Sequence, residues 1–313
     1  MVLTAILFAG CATQNLPVEP PAADGHPVVV SESPPSPAEE SQPERVPAPP
    51  PLPPVAIVLT NSQPAYADVA RELSRHFESY EVYDLSDSDR PPVTVLRHIN
   101  DAAPGAVIAI GLRAAQSSIS MSDQPVVFSQ VFNYRHHGLL RQNSRGVAAL
   151  PPIDAQVAAW KELDPTITRL GLIVGEGHEE LLEEAEIAAQ RHGVQLVSQV
   201  TSSDQETLYF FRRMVRDIDG FWLLPDNRVL SPRVLQQMLA EAQQQRVPVS
   251  VPSDSMLGLG ATVSMTSSAA DIADKIAGIV RTIQAGKLDR IPEITRLSEI
   301  RIRTSKSAPV ASR

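Results

Sequence analysis

The chain has 313 residues, enough for one large domain or two smaller lobes. Apolar residues make up 43% and charged residues 20%, a composition able to form a packed core, and 36 acidic against 27 basic side chains leave a net charge of -9. That charge argues against nucleic acid as a partner, because phosphate contacts need a basic surface, and no run after residue 11 approaches the roughly 20 apolar residues of a membrane-spanning helix.

The single cysteine, Cys11, excludes an internal disulfide and a zinc site built from paired cysteines. It closes the short apolar run 2–10, and Leu7-Phe8-Ala9-Gly10-Cys11 resembles a bacterial lipobox, whose cysteine is lipidated and becomes the mature N-terminus. On this reading residues 1–11 are a signal peptide and the lipid at Cys11 ties the protein to a membrane from the periplasmic side. Ala12 after the cysteine leans toward the outer membrane, with the inner membrane as the other option. The bland alternative is an incidental cysteine near a chain end. Residues 12–54 hold half of the 28 prolines, no aromatic residue, and six acidic residues against the lone Arg45. Such a stretch buries too little apolar surface to offset its ordering entropy, so it is expected to be a disordered linker. At about 3.1 Å per residue it reaches on the order of 100 Å. It reads first as a passive tether and second as a ligand for a Pro-binding domain.

From Val55 onward, strands alternate with helices. VAIVLT (55–60) is a β-branched run, and AYADVARELSRHF repeats Val69, Leu73 and Phe77 at helical spacing. Segment 81–85 reads as a strand, 93–99 as a helix, AVIAI (106–110) as a buried strand, and Gly111 opens the helix LRAAQSSIS. PVVF (125–128) and 146–150 are further strands, the second ending at Pro151-Pro152. The plan then repeats: helix 153–163, strand 170–174, an acidic helix closing on Gly193, strand 194–200, helix 204–216, strand 220–224, helix 232–246 and strand 247–251. A helix over 270–285 stops at Gly286, and 295–303 reads as a final strand. The pattern predicts an α/β protein of two open, parallel-sheet lobes, 55–150 and 151–304, followed by a disordered tail, 305–313. Ligands of such sheets lie beyond the carboxyl ends of the strands, which here means the cleft between the lobes.

The run from about 55 to 304 resembles the substrate-binding proteins of ABC transporters, in the branch of the type I periplasmic binding-protein fold whose better known members take up aromatic amino acids. The resemblance rests on Ser62-Gln63-Pro64-Ala65, on Ile108-Ala109-Ile110-Gly111 with Ala114-Ala115-Gln116, and on Pro125-Val126-Val127-Phe128. Further along it rests on Leu163-Asp164-Pro165, on Pro225-Asp226-Asn227, and on VPVSVPSDSML followed by Gly260-Ala261. It makes the segment around 261–285 a candidate to cross back to the first lobe. It implies a ligand site of Ser62, Gln63, Gly111, Ala114, Ser129 and Gln130 from the first lobe and Asp226, Asn227, Ser253 and Asp254 from the second. A carboxylate held at the helix N-terminus after Gly111 and an ammonium held by Asp226 would suit an amino acid, although Asp and Asn also favour turns for their own sake.

Several positions depart from the family's pattern. Leu112-Arg113 follows Gly111 where a hydroxyl residue and Pro are usual, and Val131-Phe132-Asn133-Tyr134 replaces a Thr-Asp-Pro turn. Gly175-Glu176-Gly177-His178 replaces an Asn-Pro-x-Glu-x-Asn turn, and Ser264-Met265-Thr266-Ser267 stands for a Gly-x-Asp-Tyr. No nucleophile elbow, zinc-protease helix or phosphate loop is present. Gly175-Glu176-Gly177 lacks the third glycine of a dinucleotide fingerprint. His136-His137 lie beside Arg135 and Arg141 in what reads as a solvated loop. Neither enzyme activity, nor a cofactor, nor a metal is expected. Two functions follow: a lipid-anchored solute-binding protein that presents a small molecule to an ABC permease, or a binding-protein fold repurposed as a scaffold or regulator of another envelope protein.

Overall fold

The computed structural model describes residues 53–305. Cys11, the Pro-rich segment up to residue 52 and the tail from 306 lie outside the described residues.

The first lobe begins with β1 (Val55–Leu59), α1 (Pro64–Leu73), β2 (Tyr80–Asp84), α2 (Pro92–Ala102), β3 (Ala106–Ile110), α3 (Leu112–Met121), β4 (Val126–Ser129) and β5 (Ser144–Val147). In the second, α4 (Ile153–Leu163) leads to β6 (Arg169–Gly175), α5 (Glu179–Arg191), β7 (Gln195–Thr201) and α6 (Asp204–Met214). There follow β8 (Gly220–Trp222), α7 (Pro232–Gln245), β9 (Val249–Val251) and β10 (Val263–Thr266). The chain ends with α8 (Ala269–Gln284), β11 (Ile294–Thr295) and β12 (Arg301–Thr304). The strands form two six-stranded sheets, β2-β1-β3-β4-β5-β11 and β7-β6-β8-β9-β10-β12. All pairs are parallel except β10 with β12.

The central strands are apolar from end to end because helices cover both faces: β1 and β3 are buried at every position. On one face of the first sheet, Ile57 and Ile108 pack against Val69 and Leu73 of α1 and Ile272, Ile276 and Val280 of α8. On the other, Val58 and Val107 meet Leu96 and Ile99 of α2 and Ala114 of α3. In the second lobe Leu170 and Leu172 meet Val157 and Trp160 of α4 and Ala185 and Ala188 of α5, while Ile173 and Phe221 face α6 and α7. Helix starts follow local capping chemistry: Ser203, Ser231 and Ser268 accept hydrogen bonds from the amides of Glu206, Val234 and Asp271.

Two sequence expectations differ from the structure. The run expected to be one strand over 295–303 is divided between the lobes, as parallel β11 beside β5 and antiparallel β12 beside β10. The segment 264–267, set by the resemblance against the family's Gly-x-Asp-Tyr, lies for its first three residues within β10, between β9 and β12. Residues 261–266 stay with the second lobe, and α8 is the element that packs onto the first.

Candidate functional site

The parallel order of both sheets places the loops after β1, β3 and β4 on one rim and those after β6, β8 and β9 on the other. On the first rim the expected ligand groups are engaged locally. Ser62 is exposed and its hydroxyl donates to Asp84 at the end of β2. Gln63 caps α1, its carbonyl accepting from the Tyr66 amide at 2.9 Å and its own amide donating to Asn61 Oδ1 at 3.0 Å. Gly111 has φ 86°, and a Cβ there would stand 2.7 Å from Thr60 Oγ1 and 2.9 Å from the Tyr66 ring, so only glycine fits. Ala114 is fully buried, and its amide donates to Thr60 Oγ1 at 3.1 Å, so Thr60 already caps this end of α3. Ser129 is fully buried; its carbonyl accepts from the Gly111 amide at 2.9 Å, and its hydroxyl has no partner among the described residues. Gln130 takes a left-handed conformation, φ 60°, that sends the chain into the loop 131–137.

On the second rim, Ser253 shares a hydrogen bond of 2.8 Å with Ser255. Asp254 accepts from Ser264 Oγ at 2.5 Å and from Arg303 at 2.7 Å. Burial alone would push the Asp254 carboxyl up, but these bonds outweigh it and hold the group below the usual carboxylate range.

The two rims meet at Asp226, which follows β8 and is 1% exposed. Oδ1 accepts from Arg228 Nε at 2.9 Å, the Arg228 amide at 3.2 Å and Asn133 Nδ2 at 2.9 Å; Oδ2 accepts from Arg228 Nη2 at 2.8 Å and the Gly175 amide at 2.9 Å. His178 Nε2 stands 3.4 Å from Oδ2 and 2.8 Å from Asn133 Oδ1. Burial would raise this carboxyl, but hydrogen bonds from His178, Arg228, the Gly175 amide and Asn133 hold it far below the usual range, so it is ionised throughout the physiological interval. Asn133 also donates to Asn227 Oδ1 at 3.2 Å, and the ring of its neighbour Phe132 stacks on His178 with centroids 4.5 Å apart. Asn133 belongs to the first lobe, whereas Gly175, His178, Asp226, Asn227 and Arg228 belong to the second. A cavity of about 240 Å³ lies against this network, with Phe132, Tyr134, Arg135, Glu176, His178 and Arg228 among its walls.

The structure therefore brings Asp226 and Asn227 into an interlobe network, and none of Ser62, Gln63, Gly111, Ala114, Ser129, Gln130, Ser253 or Asp254 shares a hydrogen bond with them. The participants that sequence reasoning did not name as site residues are Asn133, Gly175, His178 and Arg228. Three of them left a signal: Asn133, Gly175 and His178 lie in the two turns that depart from the family's pattern, and those turns touch. A larger open groove, about 760 Å³, lies at the amino ends of the first sheet's strands, lined by Ile119, Arg141, Asn143 and Leu288. It shares no lining residue with the cavity at the rims. Among the described residues no group of three or more His, Cys, Asp or Glu could hold a metal ion, and no helix is long and apolar enough to cross a membrane.

Comparison with known proteins agrees with this architecture. Residues 80–299 match the model of a family described as ABC transporter substrate binding protein. A conserved domain protein from Vibrio cholerae shares the fold at 21% identity and a TM-score of 0.55, over 80% of this chain and 91% of that one. A Streptococcus pneumonia protein in complex with L-Trp aligns at 17% identity and a TM-score of 0.55, over 80% and 91% of the two chains. The ligand-free, open structure of a substrate binding protein with adhesive properties from Clostridium difficile aligns at 14% identity and a TM-score of 0.60, over 82% and 92%. No curated protein matches the sequence.

Proposed function

Since the chain belongs to the ABC transporter substrate-binding protein family, we propose that it is the lipid-anchored solute-binding component of an ABC-type uptake system, held to the periplasmic face of the envelope through Cys11 with residues 12–54 as its tether. The observation that carries the reading is the convergence of loops from both lobes, Phe132 and Asn133 from one and His178 and Arg228 from the other, around one cavity of about 240 Å³. That volume suits a small metabolite, below the range of drug-sized sites. The chain passes between the lobes three times, after β5, after β10 and after β11, so their relative motion is confined to a hinge. Solute contacts shared by both rims stabilise the closed state, which the permease then recognises.

The scaffold reading is kept for one reason: the carboxylate best placed to hold a ligand's amino group is fully engaged by the chain's own donors. The test is thermal unfolding of the full chain against a panel of small metabolites, since a compound that binds only the folded state raises the midpoint. One compound that raises it in the wild type and not in Phe132→Ala or Arg135→Ala supports solute binding. No shift with any compound favours the scaffold and directs the search to pull-downs from the envelope.

A further inference from the structure

The side-chain oxygens of Asp226 and Asn227 form a subsite able to hold a group with several N–H donors, and this subsite is already filled. A carboxylate offers about four lone-pair positions, and here five N–H donors from Asn133, Arg228 and Gly175 converge on it within 3.2 Å. Arg228 meets it with two guanidinium nitrogens, one on each oxygen, the fork geometry that makes arginine–carboxylate pairs strong. The carboxamide of Asn133 is equally saturated. Both of its N–H groups go to second-lobe acceptors, Asp226 Oδ1 and Asn227 Oδ1, and its oxygen meets His178 Nε2. Asn133 is 4% exposed although it sits in a loop of the first lobe, and Phe132 beside it packs against the core of the second.

We propose that Asn133 and Arg228 are resident occupants of this subsite: Arg228 fills it from within the second lobe, and the lobes lock through the chain's own Asn133 amide instead of through a solute's amino group. The inference deepens the solute-binding reading and rests on it for one consequence. A solute that enters the neighbouring cavity places no ammonium group on Asp226, because every acceptor of that carboxylate is taken. The other consequence is independent of any solute: the ligand-free protein is closed.

The test uses the full chain with Cys11→Ser and spin labels on Gln116→Cys and Glu183→Cys, exposed positions on the first and second lobes, read by electron–electron double resonance without solute. The wild-type latch is expected to give one distance peak at the separation seen in the structure. Asn133→Asp, which sets a second carboxylate against Asp226, and Asn133→Leu, which keeps bulk without hydrogen bonds, should each move the peak outward by more than its own width. Circular dichroism and cooperative unfolding show that each variant is folded, and if one is not, the other decides. An open wild type, or folded variants as closed as the wild type, overturns the proposal. Thermal shifts with glycine, L-alanine and L-glutamate are measured on the same proteins and on Asp226→Asn, and stabilisation of the wild type by any of them that Asp226→Asn removes overturns the exclusion of an ammonium group from Asp226. A closed wild type with opened variants, but no stabilising compound in the wider panel, keeps the latch and removes the solute-binding reading. A wild type that is open and closes on a compound does the reverse.

Discussion

Asp84 and Asp226 lie toward the carboxyl ends of strands β2 and β8, one on each lobe, and both are held below the usual carboxylate range although burial opposes it. Their donors differ. Those of Asp84 are Ser62 and Ser86, on its own lobe and partly exposed, whereas those of Asp226 include a guanidinium, a buried amide and a side chain from the opposite lobe. The same carboxylate chemistry thus shapes a loop in one place and joins two lobes in the other, and the origin and burial of the donors decide which.

Mutation should widen that contrast. Asp226→Ala leaves Arg228 and the Gly175 amide without their acceptor, and removing one partner of a buried pair costs about 3 kcal/mol or more, measurable by urea unfolding at pH 7. An equal loss from Asp84→Ala would break the comparison. Gly111→Ala on the first rim should cost about 2 kcal/mol from its positive φ alone, with the contacts to Thr60 and Tyr66 adding to it. The pH dependence follows from the sign of the shift. Because folding lowers the Asp226 pKa, its contribution is complete above the unfolded value of about 3.9 and is lost as the pH falls below that. The stability gap between the wild type and Asp226→Asn should stay constant from pH 7 to 5 and shrink below about pH 4. Asp84→Ala should cost roughly 0.5–1 kcal/mol, and Arg303→Ala, which breaks an exposed pair with Asp254, about 0.5 kcal/mol.

Much of this fold was legible because it is written locally. Long apolar runs marked β1 and β3, helical spacing marked α1 and α4, and Gly193 marked the end of α5. Strands β10, β11 and β12 were not separable, because runs of two to four residues acquire their hydrogen bonds from partner strands and not from their own periodicity. At the site, the place of Asp226 at a strand end could be read from the chain. Its engagement could not, since Asn133 lies 93 residues away in sequence, and a saturated carboxylate and an open one have the same sequence.

The assignment of α8 to the first lobe has a consequence for synthesis. Residues 153–266 contain all of the second lobe's helices and five of its six strands, whereas one face of the first lobe's core needs α8, at 269–284, and its last strand lies at 294–295. The lobe made first is therefore completed only after nearly all of the second has been made. A chain cut before residue 269 keeps all but the edge strand β12 of its second lobe and leaves the sheet face around Ile57 and Ile108 covered by α1 alone in the first, a nascent state that exposes apolar sheet until nearly the whole protein has been made.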